Sequence, residues 1–204
     1  MNGARVTAKY EPDARTEDRL SALKATPLTF YEVDPDHGGA EAFHNAIAEA
    51  KKSAFGAAVT LYPKDEYKGM RLFLTKGGAE GFALKDGDDI VSVFKHPSSQ
   101  SVRMTKSMLP LAVAEGGRRL DCFDTQLPHL YSQDGFKAVS RTPFDDTYKP
   151  DGWDYSKFSS FNGGKPDVVF MNYEKGAGDY VPGEGKTFPS YDEASDHQKA
   201  TVHK

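Results

Sequence analysis

The sequence predicts an α/β chain of the α+β type: a mixed, mainly antiparallel central sheet flanked by helices on both faces. Three observations predict it. Strand-like runs at 70–76, 80–87 and 88–97 follow one another directly, with hairpin signals at Gly77-Gly78 and Asp86-Gly87. Helical and strand-like patterns then alternate from residue 104 to residue 141. A run with helical period, residues 36–53, stands ahead of the meander.

The elements follow in order. "PLTFYEV" (27–33) is a short strand. "DHGGAEAFHNAIAEAKKS" (36–53) places Ala40, Phe43, Ala46, Ile47 and Ala50 on one face, which makes an amphipathic helix. "AAVTLYP" (57–63) reads as a short strand, and the meander follows it. "MTKSMLPLAVAEGG" (104–117) is a helix with Met108, Leu111, Ala112 and Glu115 at turn spacing, ended by Gly116-Gly117. Pro110 inside it kinks or restarts the helix. "RRLDCFD" (118–124) is a strand, "TQLPHLYSQ" (125–133) a short helix and "FKAVSR" (136–141) a strand. The strand 118–124 is expected beside 88–97 and parallel to it, because a helix crosses over between them. "DVVFMNY" (167–173) is the final strand, after an irregular aromatic loop in which Trp153 roofs a small core.

The core therefore runs over residues 26–173. Residues 1–25 are polar and charge-mixed, and form a mobile arm or a peripheral layer. The tail 174–204 is rich in Gly, Pro and charge, and has too few aliphatic side chains to order itself alone. With 204 residues, 38% hydrophobic and 27% charged, the chain has one domain's worth of core with polar extensions. A net charge of -4 gives no basic field for nucleic acid, and no segment approaches a membrane span. The single Cys122 excludes an internal disulfide and fits a reducing compartment, so the expectation is a soluble cytoplasmic protein, monomeric or homodimeric. The six histidines lack metal-ligand spacing, and no metal site is expected.

"LPHLYSQDGF" (127–136) carries the sharpest signal. Gly135 can take the left-handed conformation that ends a helix. Asp124, Pro128, Leu130, Tyr131, Gly135 and Phe136 together resemble the pattern N-x-x-A-x-x-L-Y-x-x-x-G-F of the GCN5-related N-acetyltransferases. Asp124 stands where that family usually has asparagine, and Pro128 falls one place beyond its alanine. The order of elements over residues 70–141 is similar to that family's second half.

The resemblance implies a GNAT-like fold, acetyl-CoA as co-substrate, and transfer of an acetyl group to an amine of a small molecule or protein. It implies that Tyr131 protonates the leaving thiolate. It also implies that strand 88–97 carries the pantetheine arm through main-chain bonds, leaving an N–H near Val93 or Phe94 for the thioester oxygen. The family's pyrophosphate loop is glycine-rich, whereas "HPSSQSVRMTKSML" (96–109) has no glycine. The hydroxyls of Ser98, Ser99, Ser101 and Thr105 would substitute, with Arg103 and Lys106 on an exposed first turn supplying charge. Glu32, Glu66, Asp88 and His96 are candidate bases, and His96 is preferred because imidazole titrates near neutrality. The alternative is a catalytically inactive protein of the same fold, such as a phage- or mobile-element-encoded binding partner. No Ser-His-Asp or paired-carboxylate constellation points to a hydrolase.

Overall fold

The computed structural model describes residues 3–203, and the chain divides into two compact units, residues 1–116 and 117–204. In the first unit, β1 (Val6–Tyr10), α1 (Ala14–Ala22), β2 (Phe30–Val33) and α2 (Ala40–Ala50) precede β3 (Arg71–Thr75), β4 (Glu80–Lys85), β5 (Asp89–Lys95) and α3 (Thr105–Ala114). The five strands lie in chain order, each antiparallel to the next. The sheet is built from local hairpins, as the Gly and Asp-Gly signals predict: Asp86 and Gly87 both take the positive φ that a tight hairpin needs.

Alternation sorts the side chains. Val33, Leu72, Leu74 and Ala83 share one face with Phe43, Ile47 and Ala50 of α2, around the fully buried Tyr67. The other face carries Phe30, Phe73 and Phe82, the last two stacked with centroids 4.5 Å apart. Arg71 belongs to this face and reaches the C-terminal end of α3, donating to the Glu115 carboxylate at 2.7 Å.

Pro110 sits inside α3 and cannot donate to the carbonyl of Lys106, four residues back. Arg19 of α1 takes that place, its guanidinium donating to Lys106 O at 3.0 Å. The residues expected to form a mobile arm or a peripheral layer thus carry two elements joined to the rest of the unit. β1 is a strand paired to β2, and α1 supplies the donor that the proline removes. Residues 57–63 are not a strand. Thr60 O, Tyr62 N and Val59 O bond to side chains of Ser92, Tyr67 and Lys51, so these groups serve no ladder.

The second unit contains β6 (Arg119–Phe123), α4 (Leu127–Ser132), β7 (Phe136–Thr142), β8 (Val168–Tyr173), β9 (Lys186–Thr187) and α5 (Tyr191–Thr201). β8 lies between β6 and β7, antiparallel to both, and β9 adds to β7 in parallel. In the irregular loop Trp153 stacks on Phe158 with centroids 4.0 Å apart and donates to Gly164 O, the roof expected of it.

The presumed polar tail is ordered, and by polar means. Gln198 donates to Leu120 O and Met171 O, Asn172 donates to Gln198 O, and Ser140 Oγ donates to Ala194 O. Only Ala194, Ser195 and Gln198 of α5 are buried, so its apolar content gave no sign of docking. Among the described residues, no helix is long and apolar enough to cross a membrane.

The Arg19–Pro110 arrangement makes a double-mutant prediction. Arg19→Ala removes the bond to Lys106 O and should lower stability by about 1 kcal/mol. In a Pro110→Ala background, whose restored N–H serves that carbonyl, urea unfolding should find most of the Arg19→Ala loss gone. An equal loss in both backgrounds would mean that Arg19 stabilises by some other route.

Candidate functional site

In the first unit, β5 departs from regular pairing. Gly81 faces Phe94 and Ala83 faces Val91, so Ser92 and Val93 together oppose Phe82: a β-bulge. Val91 and Phe94 therefore lie in the same core cluster although they are three residues apart. Strict alternation would put them on opposite faces. Ser92 holds a left-handed φ of 52°, rare for a residue with a side chain. Gly81 is required opposite, since a Cβ there would stand 2.6 Å from the Phe94 ring and 2.7 Å from Phe73 O.

After β5, the loop hydroxyls are mostly engaged with one another. Ser98 Oγ pairs with His96 Nδ1 at 2.6 Å, and Ser99 Oγ bonds both Ser101 Oγ and the buried Glu80 carboxylate. Arg103 is exposed but its guanidinium donates to Leu23 O at 3.0 Å. Lys106 is buried, where an exposed first-turn position was expected, because its backbone lies under Arg19. What the loop does offer is main chain. Arg103 is left-handed and Met104 right-handed helical, and none of the loop or turn hydrogen bonds uses the N–H groups of Arg103, Met104 or Thr105. Successive N–H groups in such a left–right pair form an anion-accepting concavity.

Of the candidate bases, Glu32 is engaged. It accepts two bonds from Arg71, at 2.7 and 2.9 Å, and one from Tyr10 at 3.0 Å. The Arg71 donors hold its carboxyl below its ordinary range against the opposing effect of burial. The same carboxylates push the Tyr10 phenol, already raised by burial, up to about 12. Glu66 is exposed, and Asp88 and His96 are half-buried.

In the second unit, Tyr131 is 6% exposed and projects from the last turn of α4. Gly135 has φ 90°, so it ends the helix as a left-handed residue, and the bland reading of that glycine is correct. It does not account for Tyr131. No hydrogen bond of the Tyr131 hydroxyl is found among the described residues, and its oxygen still reaches the surface: the buried side-chain atom there that lacks a partner is Asn172 Oδ1. Burial, then the neighbouring Cys122 and Asp121, pushes this phenol well above its ordinary range. It stays protonated, as a proton donor must.

Asp124 is bound into a different arrangement. Arg141 of β7 donates to Asp124 at 2.6 Å and to Asp167 at 2.9 Å, and bonds Tyr180 Oη, which itself donates to Asp124 at 3.0 Å. Asp124, Arg141 and Asp167 line an open cleft of about 630 Å³ with His129 and Asn162. Tyr131 is not among the residues lining it. Sequence reasoning missed Ser92, Tyr67, Arg141, Asp167 and Tyr180. The one available signal was Ser92, a polar residue interrupting the apolar run of β5. Comparison with family models, with curated proteins and with solved structures finds no match for this chain.

The Glu32–Arg71 pair sets a pH dependence. A carboxyl depressed on folding contributes stability above its unfolded pKa, about 4.3, and loses it as pH falls through the folded value. Urea unfolding between pH 7 and pH 3 should show wild-type stability dropping on the acid side of about pH 4. Glu32→Gln should lower stability at pH 7 and flatten that drop; an identical acid limb in both proteins would count against the pair.

Proposed function

We propose that the protein is an acyl-CoA-dependent N-acyltransferase of the GCN5-related kind, moving an acetyl group from acetyl-CoA to an amine of a small molecule or protein. The observation that carries this reading is Tyr131, a largely buried residue whose hydroxyl makes no hydrogen bond among the described residues, in the position the motif resemblance marks. In the proposed reaction the amine nitrogen attacks the thioester carbonyl and the carbon–sulfur bond breaks. Main-chain N–H groups would receive the developing negative charge on oxygen. The Tyr131 hydroxyl would deliver its proton to sulfur, and the proton that the amine nitrogen gives up would restore the phenol by way of solvent. The pyrophosphate would fall to the free N–H groups of Arg103, Met104 and Thr105, so the glycine-free loop would bind through backbone more than through its hydroxyls.

The second reading, a binding protein of the same fold without catalysis, is favoured by one observation. Lys106 is buried, and one arm of the Arg103 guanidinium is spent on Leu23 O, which reduces the charge the loop offers a diphosphate.

Acetyl-CoA at 100 times its Kd should stabilise the wild type by about 2.7 kcal/mol in a thermal shift. Tyr131→Phe should keep that shift, because only the hydroxyl is removed. Its turnover should fall by about 10²–10⁴, and in kcat, since the hydroxyl acts as charge builds on sulfur. Full turnover in Tyr131→Phe would reduce Tyr131 to a packing residue. Stabilisation by acetyl-CoA without turnover on a panel of amines would favour the second reading. Alanine at both Arg103 and Lys106 should weaken binding little if the backbone carries the phosphate. A large loss of CoA affinity without a loss of melting temperature would return that role to the side chains.

A further inference from the structure

Ser92 is the one non-glycine residue inside a described strand with a left-handed φ, and it is 5% exposed. Such outliers persist only where their surroundings hold them. The holding is visible. Ser92 Oγ donates to Thr60 O at 2.9 Å, and can then only accept from Tyr67 Oη at 2.8 Å. Tyr67 Oη in turn accepts from the N–H of Tyr62 at 3.1 Å. The polarity of the chain is thereby fixed: Tyr62 N–H to Tyr67 O–H to Ser92 O–H to Thr60 carbonyl. Both ends are main chain of the segment 60–62, and the middle is anchored by Tyr67, which is fully buried against Phe43 and Tyr62.

A buried polar chain with every member satisfied specifies one geometry. We propose that Tyr67 and Ser92 are positioning residues that lock the β5 bulge. Resting on the acyltransferase reading, the locked bulge fixes the N–H of Val93, the bulged residue, for the thioester oxygen, while Phe94 pairs with Gly81 in the ladder.

Three variants test this. Tyr67→Phe keeps the ring and removes the link. Ser92→Gly accepts the same φ without strain but loses the hydroxyl. Phe43→Leu loosens the same core outside the hydrogen-bond chain, and serves as the control for general destabilisation. Amide hydrogen exchange of the ligand-free protein is the first readout. Exchange at Ser92, Val93 and Phe94 should rise at least about tenfold in Tyr67→Phe and Ser92→Gly, with β3 amides unchanged. In Phe43→Leu any rise should be spread over β3 and β5 alike. Unchanged exchange at the bulge, or the same diffuse rise in all three variants, overturns the lock.

Calorimetry with acetyl-CoA and with free CoA is the second readout. Tyr67→Phe should weaken acetyl-CoA binding about five- to tenfold while leaving CoA affinity as it was, because CoA lacks the thioester oxygen. Equal weakening of both ligands would overturn the thioester role. A wild type that binds neither ligand would overturn the acyltransferase reading and the thioester role with it, while the lock is still judged by exchange.

Discussion

One extra residue in β5 governs the first unit. Without it, Val91 and Phe94 fall on opposite faces, and the core between the sheet and α2 loses one of its largest fully buried side chains. With it, Phe94 meets Phe43 edge to face at 5.7 Å, and Gly81 must stay a glycine so that the ring has room. The segment 57–63 is drawn into the same constraint. Its carbonyls and N–H groups answer Ser92, Tyr67 and Lys51, so it becomes a strap over the bulge instead of a strand. Packing, the lost strand and the strained serine thus share one cause.

Each unit also gathers its charge around one strand arginine. Arg71 binds Glu32, Glu115 and Tyr10; Arg141 binds Asp124, Asp167 and Tyr180. The two differ in burial: the Arg71 side chain is 40% exposed and that of Arg141 9%. Solvent screens the first network, so its worth is modest. The second is less screened at the guanidinium, but Asp124 and Asp167 line the open cleft, so breaking it should cost more than breaking the first and less than breaking a fully buried pair. This explains how a segment poor in aliphatic residues becomes ordered. Arg141 bonds Tyr180 Oη and Glu184 O, and its own carbonyl accepts from Phe188 N, so residues 180–188 are tied to β7 by hydrogen bonds.

What the sequence disclosed follows from the range of the interactions. The meander, the face of α2, the Asp86-Gly87 hairpin and the Gly135 stop are set by period and by turn chemistry, which neighbouring residues carry. The bulge was half legible, since a serine among Ile90, Val91, Val93 and Phe94 breaks the apolar run. Arg19 answering Pro110 from 91 positions away was not legible, nor was Gln198 reaching two carbonyls of the sheet. Such pairings join residues whose separate sequence signals are those of an exposed cation and a polar helix. Tyr131 was legible as a position but not as an environment. Only the fold shows the residue largely buried with its hydroxyl making no hydrogen bond among the described residues.

The glycine-free loop before α3 shows how the same backbone geometry can be reached by another residue type. A glycine at position 103 would adopt a left-handed φ freely, and at φ 50° Arg103 gives up that freedom. Holding a side-chain-bearing residue there costs about 1–2 kcal/mol. The guanidinium bond to Leu23 O offsets part of this, and the neighbouring Val102 is pinned on both sides by Thr26, through N–H to Oγ1 and O to N–H. The side chain that looked like a phosphate ligand is therefore better explained as the brace for a backbone turn. That turn leaves three successive N–H groups unused at the start of a ten-residue helix whose dipole adds to their field. A glycine at 103 would present the same N–H groups on a looser chain. The arginine presents them fixed, with one arm of its guanidinium spent on Leu23 O.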